Sequence, residues 1–168
     1  MAEGRWFDRK FELGLPASGF PPILGRLRSL PDRLEHAVRN VPDERLRQRV
    51  NGAWSIQENV GHLLDLDWLW EQRLDDFDAG ATVLHPADLE NRKTHDANHN
   101  ARDIDDLLRA LRTARMRIVG RLERMSAAEL SRIALHPRLQ QPMSVVDLGS
   151  FVAEHDDHHL KTITALSS

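Results

Sequence analysis

The chain has 168 residues, enough for one domain with a buried core, and its 40% hydrophobic and 29% charged residues are those of a globular protein. A net charge of −3 with both signs spread along the chain leaves no electrostatic footprint for nucleic acid, and no apolar run approaches the ~18 residues that a membrane span needs. There is no cysteine, so disulfides and thiolate ligands are excluded and any bound metal must be held by nitrogen and oxygen.

Residues 1–168 are expected to form a single domain. The opening Met1 to Lys10 lacks the apolar stretch and small-residue cleavage site of a secretory signal, which makes a cytoplasmic location the expectation. From Pro21 to about Arg39, Ile23, Leu24, Leu27, Leu30, Leu34, Ala37 and Val38 keep the three-or-four spacing of an amphipathic helix. The stripe stays in phase past Pro31, which predicts one kinked helix rather than two.

Ser55-Ile-Gln-Glu58 is a capping box and predicts the start of a second helix. It runs through Val60, Leu63, Leu66, Leu69, Trp70 and Leu74 to about Ala79, where Gly80 ends it. Residues 81–100 are polar, contain proline and lack a sustained period, so they read as a long loop, a kind of segment that often carries function. A third helix is predicted from about Asp103 to Arg124, with Leu107, Leu108, Leu111, Ala114, Ile118, Val119 and Leu122 inward. Its outer arginines, at 109, 112, 117, 121 and 124, read as a solvated face paired with Asp105, Asp106 and Glu123. Ser126-Ala-Ala-Glu129 caps a short turn, 134–143 is a connector with two prolines, and Ser144-Val-Val-Asp147 starts a last helix that reaches about Ala165.

The inward stripe of that last helix is Val145, Leu148, Val152, His155, His159, Ile163 and Leu166, so two imidazoles stand where a core expects apolar side chains. A buried imidazole without a partner loses hydrogen bonds worth ~1–3 kcal/mol, so something must satisfy this pair. Histidines at i and i+4 supply two convergent lone pairs from one helix face, and His62, beside the apolar stripe of the second helix, supplies a third. The three read as a metal site. His158 is a neighbour of His155 at i+3, but His159 shares the stripe with Val152 and Ile163 and is preferred.

Glu154, Asp156 and Asp157 are placed by sequence to orient such ligands or simply to face solvent. His36 falls on the polar face of the first helix, and His85 and His136 each precede a proline in a connector. His95 and His99 have ligand-like spacing in a segment without helical pattern; they read as loop residues that border a pocket. Trp54, Trp68 and Trp70 read as core or pocket wall.

The order of four helices, the segment Trp54-Ser-Ile-Gln-Glu-Asn-Val-Gly-His62-Leu-Leu-Asp and the ending Glu154-His-Asp-Asp-His-His159-Leu together resemble the DinB/YfiT-like superfamily of metalloenzymes over nearly the whole chain. The resemblance implies an all-α, up-down-down-up four-helix bundle. It also implies one divalent metal held by a histidine of the second helix and a His-x-x-x-His pair of the last, which here are His62, His155 and His159. Three nitrogen ligands leave coordination positions open, as in catalytic rather than structural sites.

Two chemistries then stand open: hydrolysis by a metal-activated water, with His99 as a proton shuttle, and activation of a thiol. The resemblance implies the second, a transferase using a low-molecular-weight thiol, with Arg138 or Arg92 clamping a carboxylate of that cofactor. A non-enzymatic stress-response binding protein is the remaining alternative. A small-molecule substrate, no nucleic acid, no membrane and a homodimer complete the expectations. Three imidazoles suit zinc, nickel or iron, and the residues do not choose among them.

Overall fold

The computed structural model describes residues 5–168. Its elements, in chain order, are α1 (Phe20–Val38), α2 (Asp43–Arg47), α3 (Ile56–Asp78), α4 (Arg92–Asp96), α5 (Ile104–Glu123), α6 (Ala127–Leu130), β1 (Ile133–His136), β2 (Gln141–Ser144) and α7 (Val145–Ser167). The four long helices α1, α3, α5 and α7 match the expected ones to within two residues at each boundary. Ser55 and Ser144 close capping boxes with Glu58 and Asp147, Asp103 caps α5, and Gly80, at φ 67°, turns the chain after α3. α1 runs without interruption through Pro31, which is buried inside it.

Ion pairs fix the direction of each helix. Arg117 meets Glu71 and Arg121 meets Asp75 and Asp78, so α3 and α5 advance together. Arg26 and Arg33 meet Glu154 and Asp157, and Gly149 lies against Ile23, so α1 and α7 also advance together. Arg112 meets Asp32 and Glu35 while Arg28 meets Glu123, which makes α1 and α5 antiparallel. The result is the up-down-down-up bundle. Two parallel helices in succession need a long return connection, and residues 79–103 supply it.

That connection is more ordered than its sequence suggests. Its first part, Thr82 to Leu84, lies beside Leu135, with Leu135 N–H donating to the Thr82 carbonyl (2.8 Å) and Leu84 N–H to the Leu135 carbonyl (3.0 Å). The second part forms α4 and a 3-10 turn, His99–Ala101, and returns to the start of α3, where Gln57 Nε2 donates to the carbonyls of His99 and Arg102 (2.6 Å each). The predicted structureless loop is corrected here. Asn91 and Asn98, both at left-handed φ, start these two turns, and contacts with α3 hold them; neither signal is periodic.

The two-proline connector is likewise corrected: it is a hairpin, with Ile133 opposite Ser144 and His136 opposite Gln141. Pro142 is tolerated because it stands opposite Leu135, whose backbone groups are engaged on the other side by residues 82–84.

Two apolar clusters fill the bundle. One gathers Trp70, Phe77, Ile118, Leu122, Val145 and Phe151; the other gathers Leu30, Leu34, Val60, Leu63, Leu111 and Ile163. Between them on α5 lies Arg115, fully buried, with Nη2 2.7 Å from Asp67 and Nη1 2.5 Å from Asp156. Burial works against its charge, yet the two carboxylates outweigh that and hold the guanidinium protonated. No helix of the described residues is long and apolar enough to cross a membrane.

Candidate metal centre

α3 and α7 pack antiparallel and bring His62, His155 and His159 together between them. Their ring centroids are 4.6–5.4 Å apart, and one ligand atom from each lies within 4.8 Å of the others. All three are buried.

The hydrogen bonds behind the rings decide which nitrogen faces the centre. Asn59 Nδ2 donates to the carbonyls of Trp54 and Ser55, which leaves Oδ1, an acceptor, 2.9 Å from His159 Nδ1. His159 therefore carries its proton on Nδ1 and keeps its Nε2 lone pair. Thr94 Oγ1 donates to Asp65 Oδ2 (2.9 Å), so at 3.1 Å it accepts from His62 Nδ1, and His62 likewise keeps Nε2. His155 Nδ1 is buried with no hydrogen-bond partner among the described residues.

Burial pushes the His62 pKa down to about 4 and those of His155 and His159 well below the usual histidine range, with the neighbouring rings adding to it. Three neutral imidazoles, two with their tautomers fixed, are a donor set that fits a divalent cation.

Asp65 ties the return connection to this arrangement. Its Oδ2 also accepts from His99 Nε2 at 2.8 Å, and the His99 ring lies flat against α3 where residue 61 is glycine. Sequence reasoning placed His99 near a pocket mouth, with a proton-shuttle role. The structure instead buries it behind the three histidines, and it does not line the pocket. His95 stays exposed at the edge of Trp54.

The carboxylates for which the sequence left open either an orienting role or a solvated one are instead engaged in ion pairs. Asp156 serves Arg115, while Glu154 and Asp157 pair with Arg9, Arg26 and Arg33. The groups behind the rings of His159 and His62 are Asn59 and Thr94, with Asp65 behind Thr94. Asn59 and Asp65 stand three residues either side of His62 on one helix face, a spacing that would have found them.

The rings form the floor of a cavity of about 360 Å³ walled by Trp6, Trp54, Leu69, Trp70 and Phe151. Trp6 comes from the segment before α1 and lies edge-on to His155 at 4.9 Å, a contribution the sequence did not signal. Trp68, expected in core or wall, is half exposed instead. His158 lines the cavity beside His159, and His36 is on the surface as expected. His136, read as a turn residue, is buried in the far wall with Arg73 and Arg138. Arg92 is exposed and bound to Glu90, away from the cavity.

Comparison with known proteins agrees with this picture. The chain is 29% identical over 155 residues to a Geobacillus thermodenitrificans protein described as a "putative metal-dependent hydrolase", covering 85% of this chain and 81% of that one. It superposes on YfiT from Bacillus subtilis with a TM-score of 0.77 at 22% identity, over 95% of this chain and 91% of that one. YfiT is described as "a probable metal-dependent hydrolase with an unusual four-helix bundle topology", and the topology derived from the ion pairs above is that of a four-helix bundle. The profile of the DinB superfamily matches residues 26–163, most of the chain, and the protein belongs to that superfamily.

Proposed function

We propose that this protein is a metal-dependent hydrolase of small molecules, with His62, His155 and His159 holding one divalent ion. The observation that carries this reading is the convergence of three buried, neutral imidazoles on the floor of an apolar cavity. The descriptions of its two relatives support the same reaction class. An ion held by three nitrogens would supply Lewis acidity, polarising a carbonyl oxygen and lowering the pKa of a water.

The rest of the chemistry belongs to the side chains around it. Asn59 and Thr94 hold His159 and His62 in the tautomers that ligation requires. Trp6, Trp54 and Trp70 exclude bulk water and give an apolar substrate a surface to stack on. His158, half-buried with its ring 5.2 Å from that of His159, lines the cavity beside the three imidazoles.

Elemental analysis of untagged protein tests the site: about one equivalent of zinc, nickel or iron is expected in the wild type, and its loss in His62→Ala and His155→Ala. Turnover of aryl esters or amides by the loaded protein without added thiol is the expected activity. Turnover only when a thiol is supplied, with a thiol conjugate as product, would overturn hydrolysis in favour of the transferase expected from the sequence. No ion retained after incubation with each metal and desalting would overturn the reading altogether.

A further inference from the structure

The wall of the cavity opposite the histidines holds a group of hydrogen-bond donors that the reaction above does not use. Arg73, on α3, follows His62 by eleven residues, three turns along the same helix face, which sets their Cα levels ~16 Å apart. Trp70 lies between, edge-on to His155 at 6.0 Å on one side and beneath the Arg73 guanidinium at 5.4 Å on the other. The cavity thus runs from the imidazoles, along tryptophan and leucine, to a cationic end.

The guanidinium groups at that end form no ion pair among the described residues, although Asp76 lies near Arg73. Arg73 Nε donates to the His85 carbonyl (2.9 Å), a neutral acceptor, and Arg73 makes no ion pair; nearby Asp76 accepts the His85 N–H instead. Arg138 makes no ion pair either. Its Nη2 is buried without a hydrogen-bond partner, and its guanidinium lies 5.2 Å over the Phe7 ring. Asp88, a carboxylate of the cavity lining, has its two oxygens on the N–H groups of Glu90 (3.1 Å) and Arg92 (2.8 Å).

His136 completes the group. Its Nδ1 accepts from the backbone N–H groups of Arg138 (3.2 Å) and Leu139 (3.1 Å), which places the ring proton on Nε2. That Nε2 stands 3.2 Å from Arg73 Nη1, which can only donate. Two donors therefore face each other, an arrangement that calls for an acceptor shared between them. Burial also lowers the pKa of both arginines, Arg73 to about 10, as expected of cations whose desolvation is not offset by a paired anion.

We infer that Arg73, Arg138 and the Nε2–H of His136 form the binding site for a carboxylate of the substrate. The substrate class is then an amphipathic monocarboxylate whose apolar body lies along Trp70 and whose hydrolysable bond reaches the histidines. Planar guanidinium forks suit a planar carboxylate, and the apolar length between the two ends suits a chain or aryl spacer. This deepens the hydrolase reading and rests on it for the reacting end, whereas the carboxylate site is testable without any reaction.

Tryptophan fluorescence follows binding directly, since Trp6, Trp54 and Trp70 line the cavity. Full-length protein stripped with EDTA, so that no ion can attract the probe, is titrated with decanoate and with 1-decanol. Decanoate is expected to bind at least tenfold more tightly. Arg138→Gln is expected to abolish that preference while decanol binding persists, which also shows that the variant is folded; Arg138→Lys should restore part of it, and Arg92→Gln should match the wild type. Equal binding of the two probes, or a decanoate preference that survives Arg138→Gln, overturns the site. Decyl phosphate binding tenfold more tightly than decanoate overturns the carboxylate assignment. If esters are not hydrolysed but the decanoate preference holds and depends on Arg138, the hydrolase reading fails and the carboxylate site stands.

Discussion

Gly61 and the ring of His99 are in contact so close that a Cβ on residue 61 would stand only 2.2 Å from the ring's Cγ. Glycine at this point lets the return connection lie flat on α3, and that contact places Asp65, Thr94 and His62 in hydrogen-bonded sequence.

Gly61→Ala must therefore push His99 out, and with it the segment that carries Thr94. A loss of about 1–3 kcal/mol is expected from overpacking a tight site, read by urea denaturation. In a His99→Ala background the same change should cost much less, because the ring that it strikes is gone. A double-mutant cycle that finds the two effects additive would show that the contact does not hold the connection in place.

The orienting residues should act on metal affinity rather than on folding. Thr94→Val removes the acceptor for His62 Nδ1–H and leaves its size nearly unchanged, and Asn59→Leu does the same for His159. Each is expected to weaken metal binding about 10- to 100-fold, measured by competition with a chelating dye, without loss of the helical circular dichroism signal. Unchanged affinity in both would remove them from the site.

Much of this was legible in the sequence because the bundle is built from periodic signals. Two serine capping boxes, at Ser55 and Ser144, and four apolar stripes placed α1, α3, α5 and α7 to within two residues, and the break of the α7 stripe at His155 and His159 pointed to the candidate site. What was missed lacks a period or depends on distant partners. Arg115 falls in phase with Leu108, Leu111, Ile118 and Leu122, yet an arginine there reads as surface until Asp67 and Asp156 are seen to meet it. The outer arginines of α5 pair mostly with α1 and α3 rather than along their own helix, a matter of which helices are neighbours. His136 gave no helical or strand signal, and its role rests on Arg73, which is 63 residues away in the chain.

Arg115 offers a direct test of the buried charges. Arg115→Met leaves Asp67 and Asp156 facing each other in the core without a cation, and the expected loss is about 3–5 kcal/mol in chemical denaturation. Replacing all three together, as Arg115→Met with Asp67→Leu and Asp156→Leu, should recover most of that stability, since the triad lies between two apolar clusters that can close over it. A triple variant as unstable as the single one would mean that the triad does more than balance its own charges.

Acid should weaken the protein through His136. Burial, with Arg73 and Arg138 adding to it, lowers its pKa to about 3 from the ordinary value near 6.5. The unfolded chain then takes up this proton first, so the stability that the neutral ring contributes is complete above pH 6.5 and falls as the pH drops from there toward 3. In His136→Gln, whose side-chain oxygen can accept the same backbone N–H groups from Arg138 and Leu139, that component is absent. Denaturation midpoints at pH 7.5 and pH 5 should therefore differ less in the variant than in the wild type. An equal acid shift in both would mean that the ring is protonated as easily in the fold as in the open chain, which would contradict Nδ1 acting as the acceptor of the Arg138 and Leu139 N–H groups.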